Sequence, residues 1–506
     1  MDGISLLHLQ QWWWILFSVF LFLSFLHFLT KNHEKRNSPP SPPKLPIIGN
    51  LHQLGGLAVR SLQSLSQKYG PLIILHFGHV PTLLVSSAEI AQEILKTNDV
   101  IFSNRPQSRA SDAIFYGSND IVFSPYGEYW RQVKKISVLH LLSQKRVHES
   151  HSVRNEEVEK IVEKIRSVNG GEINLSETFL SISNNVISKS AIGGVFDDEV
   201  RDGRSFGGLL RSSMDLMGEF SFKDFYPSFG WLDYVTGLVR KLKGSSEALY
   251  EFLDEVIEEH QGLNGEKSKD IVDILLHLQK EGLLDIDLTR QNIKAILMDM
   301  FVGGTDTTAT AMEWIMAELL KNPTIMKKAQ EEVRRVLGNK SKLTETDMNH
   351  MVYLKCIVKE SLRLHPPAFI FRESSQNVKV KGYDIPAKTR VLINVWSIQR
   401  DPQVWDRPHE FIPERFGDTS KDFKGGHVEF IPFGFGRRIC PGLAFAVSEV
   451  ECVLANLLYW FDWELPNGER GEDLEMDEVH QLIIRKKTPL VLVPVCHFPQ
   501  LPIPNN

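Results

Sequence analysis

Apolar positions fall along this chain in three patterns. The first is a run from Trp12 to Leu29, broken only by Ser18, Ser24 and His27. As a helix these 18 residues reach roughly 27 Å, close to the thickness of an endoplasmic reticulum bilayer. Lys31, Lys35 and Arg36 follow the run, and Asp2 is the lone charge ahead of it, so the positive-inside rule puts the remaining chain in the cytosol. A cleaved signal peptide is the rival reading. The run's length, the lack of a basic leader and the lack of a small-x-small site argue against it. Prolines 39, 40, 42, 43 and 46 come next and predict a stiff, extended spacer. The chain thus divides into an anchor (1–30), a basic, proline-rich hinge (31–50) and a body (51–506).

Within the body, short strand-like runs occupy Leu72–Phe77, Thr82–Val85, the stretch between 376 and 393, and Pro489–Val495. Helical periodicity with mixed charge marks Asn155–Ser167 and Glu247–Glu259, and Gln291–Lys321 reads as one long helix ended by Asn322-Pro323. No repeat and no linker interrupts residues 50–500. One large, mainly α (α+β) domain is the simplest account.

Composition narrows the chemistry. With 506 residues, 42% hydrophobic and 24% charged, the chain can bury a large core, and a net charge of −6 gives no nucleic-acid footprint. Cys356, Cys440, Cys452 and Cys496 lack CxxC spacing, which suggests neither a disulfide framework nor a zinc site and fits a reducing compartment. The sequon Asn174-Leu175-Ser176 then goes unused.

Candidate chemistry centres on Phe433-Gly434-Phe435-Gly436-Arg437-Arg438-Ile439-Cys440-Pro441-Gly442. A glycine-rich turn before an apolar helix leaves a sulfur facing outward among backbone N–H groups, as an axial thiolate ligand of haem iron requires. Alone, Cys440 reads equally as a buried structural thiol; with its neighbours the ligand reading prevails. Gly303-Gly304-Thr305-Asp306-Thr307-Thr308 lies inside the long helix and marks a kink, a groove or close packing. Glu360-Ser361-Leu362-Arg363 puts a carboxylate and a guanidinium on one helical face before Pro366-Pro367. Glu331…Arg334 and Glu332…Arg335 share that spacing but read as a solvated face.

These motifs resemble the cytochrome P450 family over essentially the whole chain, closest to its plant microsomal A-type members. The resemblance implies the P450 fold, haem b ligated by Cys440, and Trp130, Arg131, Lys134, Arg372, Phe433 and Arg438 as residues that hold it. Lys134 and Phe371 stand where relatives often carry arginine and proline. By the same resemblance Thr307 hydrogen-bonds dioxygen, Asp306 relays protons, and Glu360, Arg363 and Arg415 form a buried structural network. Phe115, Phe301, Val302, Ala368, Phe369, Ile370 and Leu482 map to the substrate pocket, while His480-Gln481 departs from a Phe-Gly pair common in relatives. The expected activity is hydroxylation or epoxidation of a small hydrophobic plant metabolite (terpenoid, alkaloid or phenylpropanoid). Electrons come from an NADPH–cytochrome P450 reductase in the same membrane, docked near Lys134, Lys135, Lys424 and Arg437. A haem-dependent oxime dehydratase or isomerase and a non-catalytic membrane haem protein are the alternatives. A Cys440 hydrolase with His427 as base is poorer than either.

Overall fold

A computed structural model describes residues 37–498 apart from 169, 195–205, 263–269, 283, 341 and 481, together with residues 13, 14, 16–20 and 22. Most of the expected anchor and the basic half of the hinge lie outside the described residues, as do Gln481 and the side chain of His480. Trp13, Trp14, Leu16–Phe20 and Phe22 are helical and exposed.

The main sheet is assembled from distant parts of the chain. Strands β1 (Leu72–Phe77) and β2 (Val80–Val85) form a hairpin; β3 (Ile370–Glu373) and β4 (Arg390–Ile393) join in the order β1-β2-β4-β3, with β2 and β4 parallel. Alternation of side chains across the sheet sends Leu83, Val85, Val391 and Ile393 into one apolar cluster and Ile73, Leu75, Leu84 and Leu392 into another.

Six helices carry or support the site: α1 (Glu128–Ile136), α2 (Leu175–Ile192), α3 (Arg290–Gly304), α4 (Asp306–Lys321), α5 (Val352–Leu364) and α6 (Leu443–Trp460). Asn174 caps the start of α2 by accepting from Glu177 N at 3.3 Å, and Gly193 ends it in the left-handed region. The stretch expected as one helix is two, α3 and α4, broken at Thr305 (ψ −71°). Gly304 shows why: a Cβ there would lie 2.6 Å from Ile187 Cγ1 of α2, whereas Gly303 faces open space. One glycine serves packing and the other a groove. Among the described residues α6 is the helix long and apolar enough to cross a membrane, but it is 61% buried in the core.

The charged run at 331–335 is not merely solvated. Glu332 accepts from Tyr353 N and Leu354 N, both at 2.9 Å, capping α5. Arg334 pairs with Asp462 at 2.9 Å and donates to Phe461 O at 3.2 Å. The helix presents both to neighbours that sequence spacing could not reveal.

Candidate active site

Local geometry makes Cys440 accessible. Its N–H donates to Phe433 O at 2.9 Å, closing the turn, and Gly436 sits at φ +69°, where a Cβ would come within 2.6 Å of Leu95 O and 2.7 Å of Asp99 Oδ1. Only glycine fits there. The sulfur lies at the N-terminus of α6, with the Gly442 and Leu443 N–H groups directed at it. Cys440 is exposed, but into an internal cavity. Burial pushes its thiol pKa up, against the pull of the two N–H groups and Lys134. A bound cation would complete the stabilisation of the thiolate.

Gly303, Thr307 and Thr308 share that cavity with Cys440, walled by Ile121, Met300, Ala368, Phe369 and Ile370. Thr307 Oγ1 donates to Gly303 O at 2.6 Å. Thr308 Oγ1 is buried without a partner. Four basic side chains, Arg105, Lys134, Arg372 and Arg438, complete the lining. Burial, and then mutual repulsion, lowers Lys134 to about 8 and Arg438 to about 9, and holds Arg372 well below its usual value. Burial also lowers Arg105 to about 10, partly offset by Asp120. Arg105 Nε and Arg372 Nε are buried without partners. Such a cluster calls for an anionic ligand.

Glu360 and Arg363 are fully buried and are linked toward the thiolate turn through Gln399, whose Oε1 accepts from Ile431 N at 2.9 Å. Arg363 Nε and Nη2 donate to Glu360 at 2.8 and 2.9 Å, and Arg415 Nε and Ile412 N reach Glu360 Oε1 at 2.9 and 2.8 Å. Arg363 also grips Gln399 O and Pro408 O at 2.9 and 2.8 Å.

The family model described as Cytochrome P450 matches residues 39–493. The chain belongs to the cytochrome P450 family. Phenylacetaldehyde oxime monooxygenase of Prunus mume is 51% identical over 93% of this chain and 91% of its own length. Cytochrome P450 71A1 of Persea americana is 52% identical over 95% and 98%, and psoralen synthase of Ammi majus 46% over 94% and 96%. The chain is accordingly a P450 monooxygenase with the P450 fold and haem b as its cofactor. The residues present fit that group: a thiol and a glycine-opened helix line one cavity, and unpartnered guanidinium nitrogens of Arg105 and Arg372 in the same lining would supply counter-charges to its carboxylates.

Several expected positions divide differently in this P450. Arg131 points to solvent and pairs with Glu128, because it is one residue, about 100°, around the helix from Trp130. Trp130 Nε1 is spent on Ile121 O at 2.9 Å. Arg438 stacks 4.1 Å over the Trp130 ring and donates to Ser103 O, Ile121 O and Ser124 O. Lys134 turns inward to Ile439 O at 2.5 Å, so it adds no surface charge, and Arg437 pairs with Asp99 at 3.1 Å. Phe433 lines the cavity with Ala368, Phe369 and Ile370. Phe301 and Val302 of α3 and Asp306 of α4 instead line a second cavity, with Arg211, Asp215 and Arg485. Helical phase explains the split: positions 299, 303 and 307 face one way, 301, 302, 305 and 306 the other. Phe115 is core, packed on Phe123 at 5.3 Å, and Leu482 lines neither cavity. Sequence reading missed Arg105, Asp120 and Asp299. Arg105, alone in a loop before Pro106, carries no local pattern to find it by.

Proposed function

We propose that this P450 is attached to the endoplasmic reticulum membrane and inserts one oxygen atom from dioxygen into a small hydrophobic plant metabolite. The observation that carries the reading is the cavity: Cys440 faces Gly303 and Thr307 across a space walled by Ile121, Met300, Phe369 and Ile370. Apolar walls select a ligand with few polar handles. Bound haem supplies dioxygen activation, driven by thiolate donation. The protein's part is to hold and move protons. Thr307 Oγ1 stands at the cavity. Asp306 reaches the second cavity 3.7 Å from Arg485, its pKa raised by burial and restrained by Arg485 and Arg211. It takes protons from that side and passes them across the break at Thr305. Lys134, Arg372 and Arg105 neutralise the haem carboxylates, while Glu360, Arg363 and Arg415 brace the turn.

Membrane attachment rests on two exposed apolar groups besides the N-terminal run. Leu45, Ile47 and Ile48 lie in the hinge, and Phe220, Phe229, Trp231, Tyr234 and Val235 project beyond α2. Both meet at the β1–β2 turn, through Gly78 N to Ile48 O (3.3 Å) and His79 N to Phe225 O (2.9 Å). Together they make one face suited to a bilayer surface. Electrons come from an NADPH–cytochrome P450 reductase docking near Lys135 and Lys424. A relative named for an oxime substrate keeps aryl oximes as the second substrate class.

The test is co-expression with a plant reductase and feeding of hydrophobic metabolites and aryl oximes, with and without NADPH. An NADPH-dependent product heavier by one oxygen, lost in Cys440→Ser, is expected. A product formed only by loss of water would move the activity to dehydration.

A further inference from the structure

The peptide at Ile121 is gripped from three directions. Its N–H donates to Asp299 Oδ2 of α3 at 2.5 Å, and its carbonyl accepts from Trp130 of α1 and Arg438 of the thiolate turn at 2.9 and 3.1 Å. Asp120, one residue earlier, accepts at Oδ2 from Val122 N and Phe123 N at 3.1 and 3.0 Å. The remaining oxygens, Oδ1 of Asp120 and Oδ1 of Asp299, are buried without an N–H or hydroxyl partner. The two carboxyl groups grip successive amides of one loop, Ile121 by Asp299 and Val122 and Phe123 by Asp120, and so lie beside each other. Two acids in one dry site cannot both ionise.

The loop they hold needs holding. Tyr116 (φ 52°), Gly117 (φ 76°) and Ser118 (φ 60°) are successive left-handed residues, a conformation that non-glycine residues keep only under restraint. Tyr250 restrains the near end by accepting from Tyr116 N at 3.3 Å and donating to Ala113 O. The far end, Asp120–Ser124, borders the cavity through Ile121 and Val122.

We propose that Asp120 and Asp299 share one proton across a buried carboxyl–carboxylate hydrogen bond and act as positioning residues. They clip the loop of residues 115–124 to α3 so that substrate meets the haem face in one orientation. The clip deepens the monooxygenase reading, on which its benefit to substrate rests. Its own chemistry is a proton held between two oxygens, with nothing oxidised or transferred. The groups facing it are Arg105 from the preceding loop, Tyr129 from α1 and Arg438 from the thiolate turn. Burial and mutual repulsion raise the pKa of Asp299. The sign follows: burial raises Asp120 to about 6 and Asp299 in the same direction, a second proton binds in more acid solution, the single shared proton is held above that, and the clip opens as pH rises through the higher of the two values.

Asparagine scanning of the holoprotein discriminates. In either single variant, Asp120→Asn or Asp299→Asn, the amide oxygen keeps the backbone N–H bonds and its NH2 donates to the remaining carboxylate. In the double variant two NH2 groups face each other. Hydrogen exchange at the Ile121, Val122 and Phe123 amides, corrected for intrinsic rate, is the readout, with phenylimidazole affinity at the haem as the second. Wild type should lose protection about tenfold as pH rises through the raised value of the pair, the single variants should not, and the double should be open throughout and bind phenylimidazole about tenfold more weakly. Equal protection of wild type and single variants across pH would overturn the shared proton. Open amides with unchanged phenylimidazole affinity would overturn the positioning role. If the double variant fails to hold haem, the wild-type and single-variant pH profiles decide alone. A failed monooxygenase assay leaves the exchange result intact, so the two readings fail separately.

Discussion

Glu360 offers the sharpest energetic prediction. The side chain is fully buried and is the anionic acceptor for two arginines and a backbone amide: Oε1 takes Arg363 Nη2, Arg415 Nε and Ile412 N, and Oε2 takes Arg363 Nε. Glu360→Ala removes all four bonds and leaves Arg363 buried with its carbonyl partners only. Stranding a buried charge costs roughly 3–5 kcal/mol. Glu360→Gln is milder. Its amide oxygen can keep the three Oε1 bonds, while its NH2 must face the Arg363 Nε donor, so one charge-assisted bond is lost, at about 1.5–3 kcal/mol. The assay is denaturant unfolding of the holoprotein followed by far-UV dichroism, with the thiolate-type ferrous–CO band as a parallel measure of haem retention. The order wild type, glutamine, alanine should hold in both, because Arg363 also donates to Gln399 O, and Gln399 Oε1 accepts from Ile431 N at 2.9 Å just ahead of the turn that carries Cys440. An alanine variant within about 1 kcal/mol of wild type, with its CO band intact, would mean that Arg363 is satisfied without Glu360.

Other expectations follow from the same geometry. Gly303→Ala should stabilise the fold by up to about 1 kcal/mol through helix propensity, while narrowing the cavity and weakening phenylimidazole binding. Gly304→Ala should destabilise by about 1–3 kcal/mol through overpacking on Ile187, read by thermal unfolding. Arg372→Leu should lower haem retention on dilution while leaving the haem-free protein as stable or more so, since an unpaired buried cation costs the empty fold. His260, bonded to Asp270 at 2.9 Å near a helix C-terminus, has its pKa raised to about 9 by that partner. Its contribution, about 1–2 kcal/mol, is complete below the unfolded value of about 6.5 and is lost as pH rises through about 9. The stability difference between wild type and His260→Gln should therefore close in alkaline solution.

What the sequence disclosed was local. The thiolate turn, the Glu360–Arg363 pair and the Gly-Gly-Thr-Asp-Thr-Thr segment are each contained within one or two turns of chain, where spacing alone fixes which side chains meet. Phase was legible in principle: Arg131 beside Trp130, and Asp306 beside Thr307, had to face other directions. Motif reading by resemblance grouped them regardless. What stayed hidden is tertiary. Asp299 meets Ile121 across 178 positions, and Arg334 and Glu332 find partners on segments that periodicity cannot bring together. The β3 strand, Ile370–Glu373, was hidden for the same reason, since its pairing with β4 depends on a sheet built from both ends of the chain.

Cys440, Gly303 and Thr307 line the cavity in which we propose that an oxygen atom from dioxygen enters the substrate. The direct measurement is turnover under isotopically labelled dioxygen, with purified chain, reductase and NADPH, and mass analysis of the product. One labelled oxygen per product molecule is expected, with none from labelled water and none in the Cys440→Ser protein. A product carrying no label, or formed equally without NADPH, would contradict it.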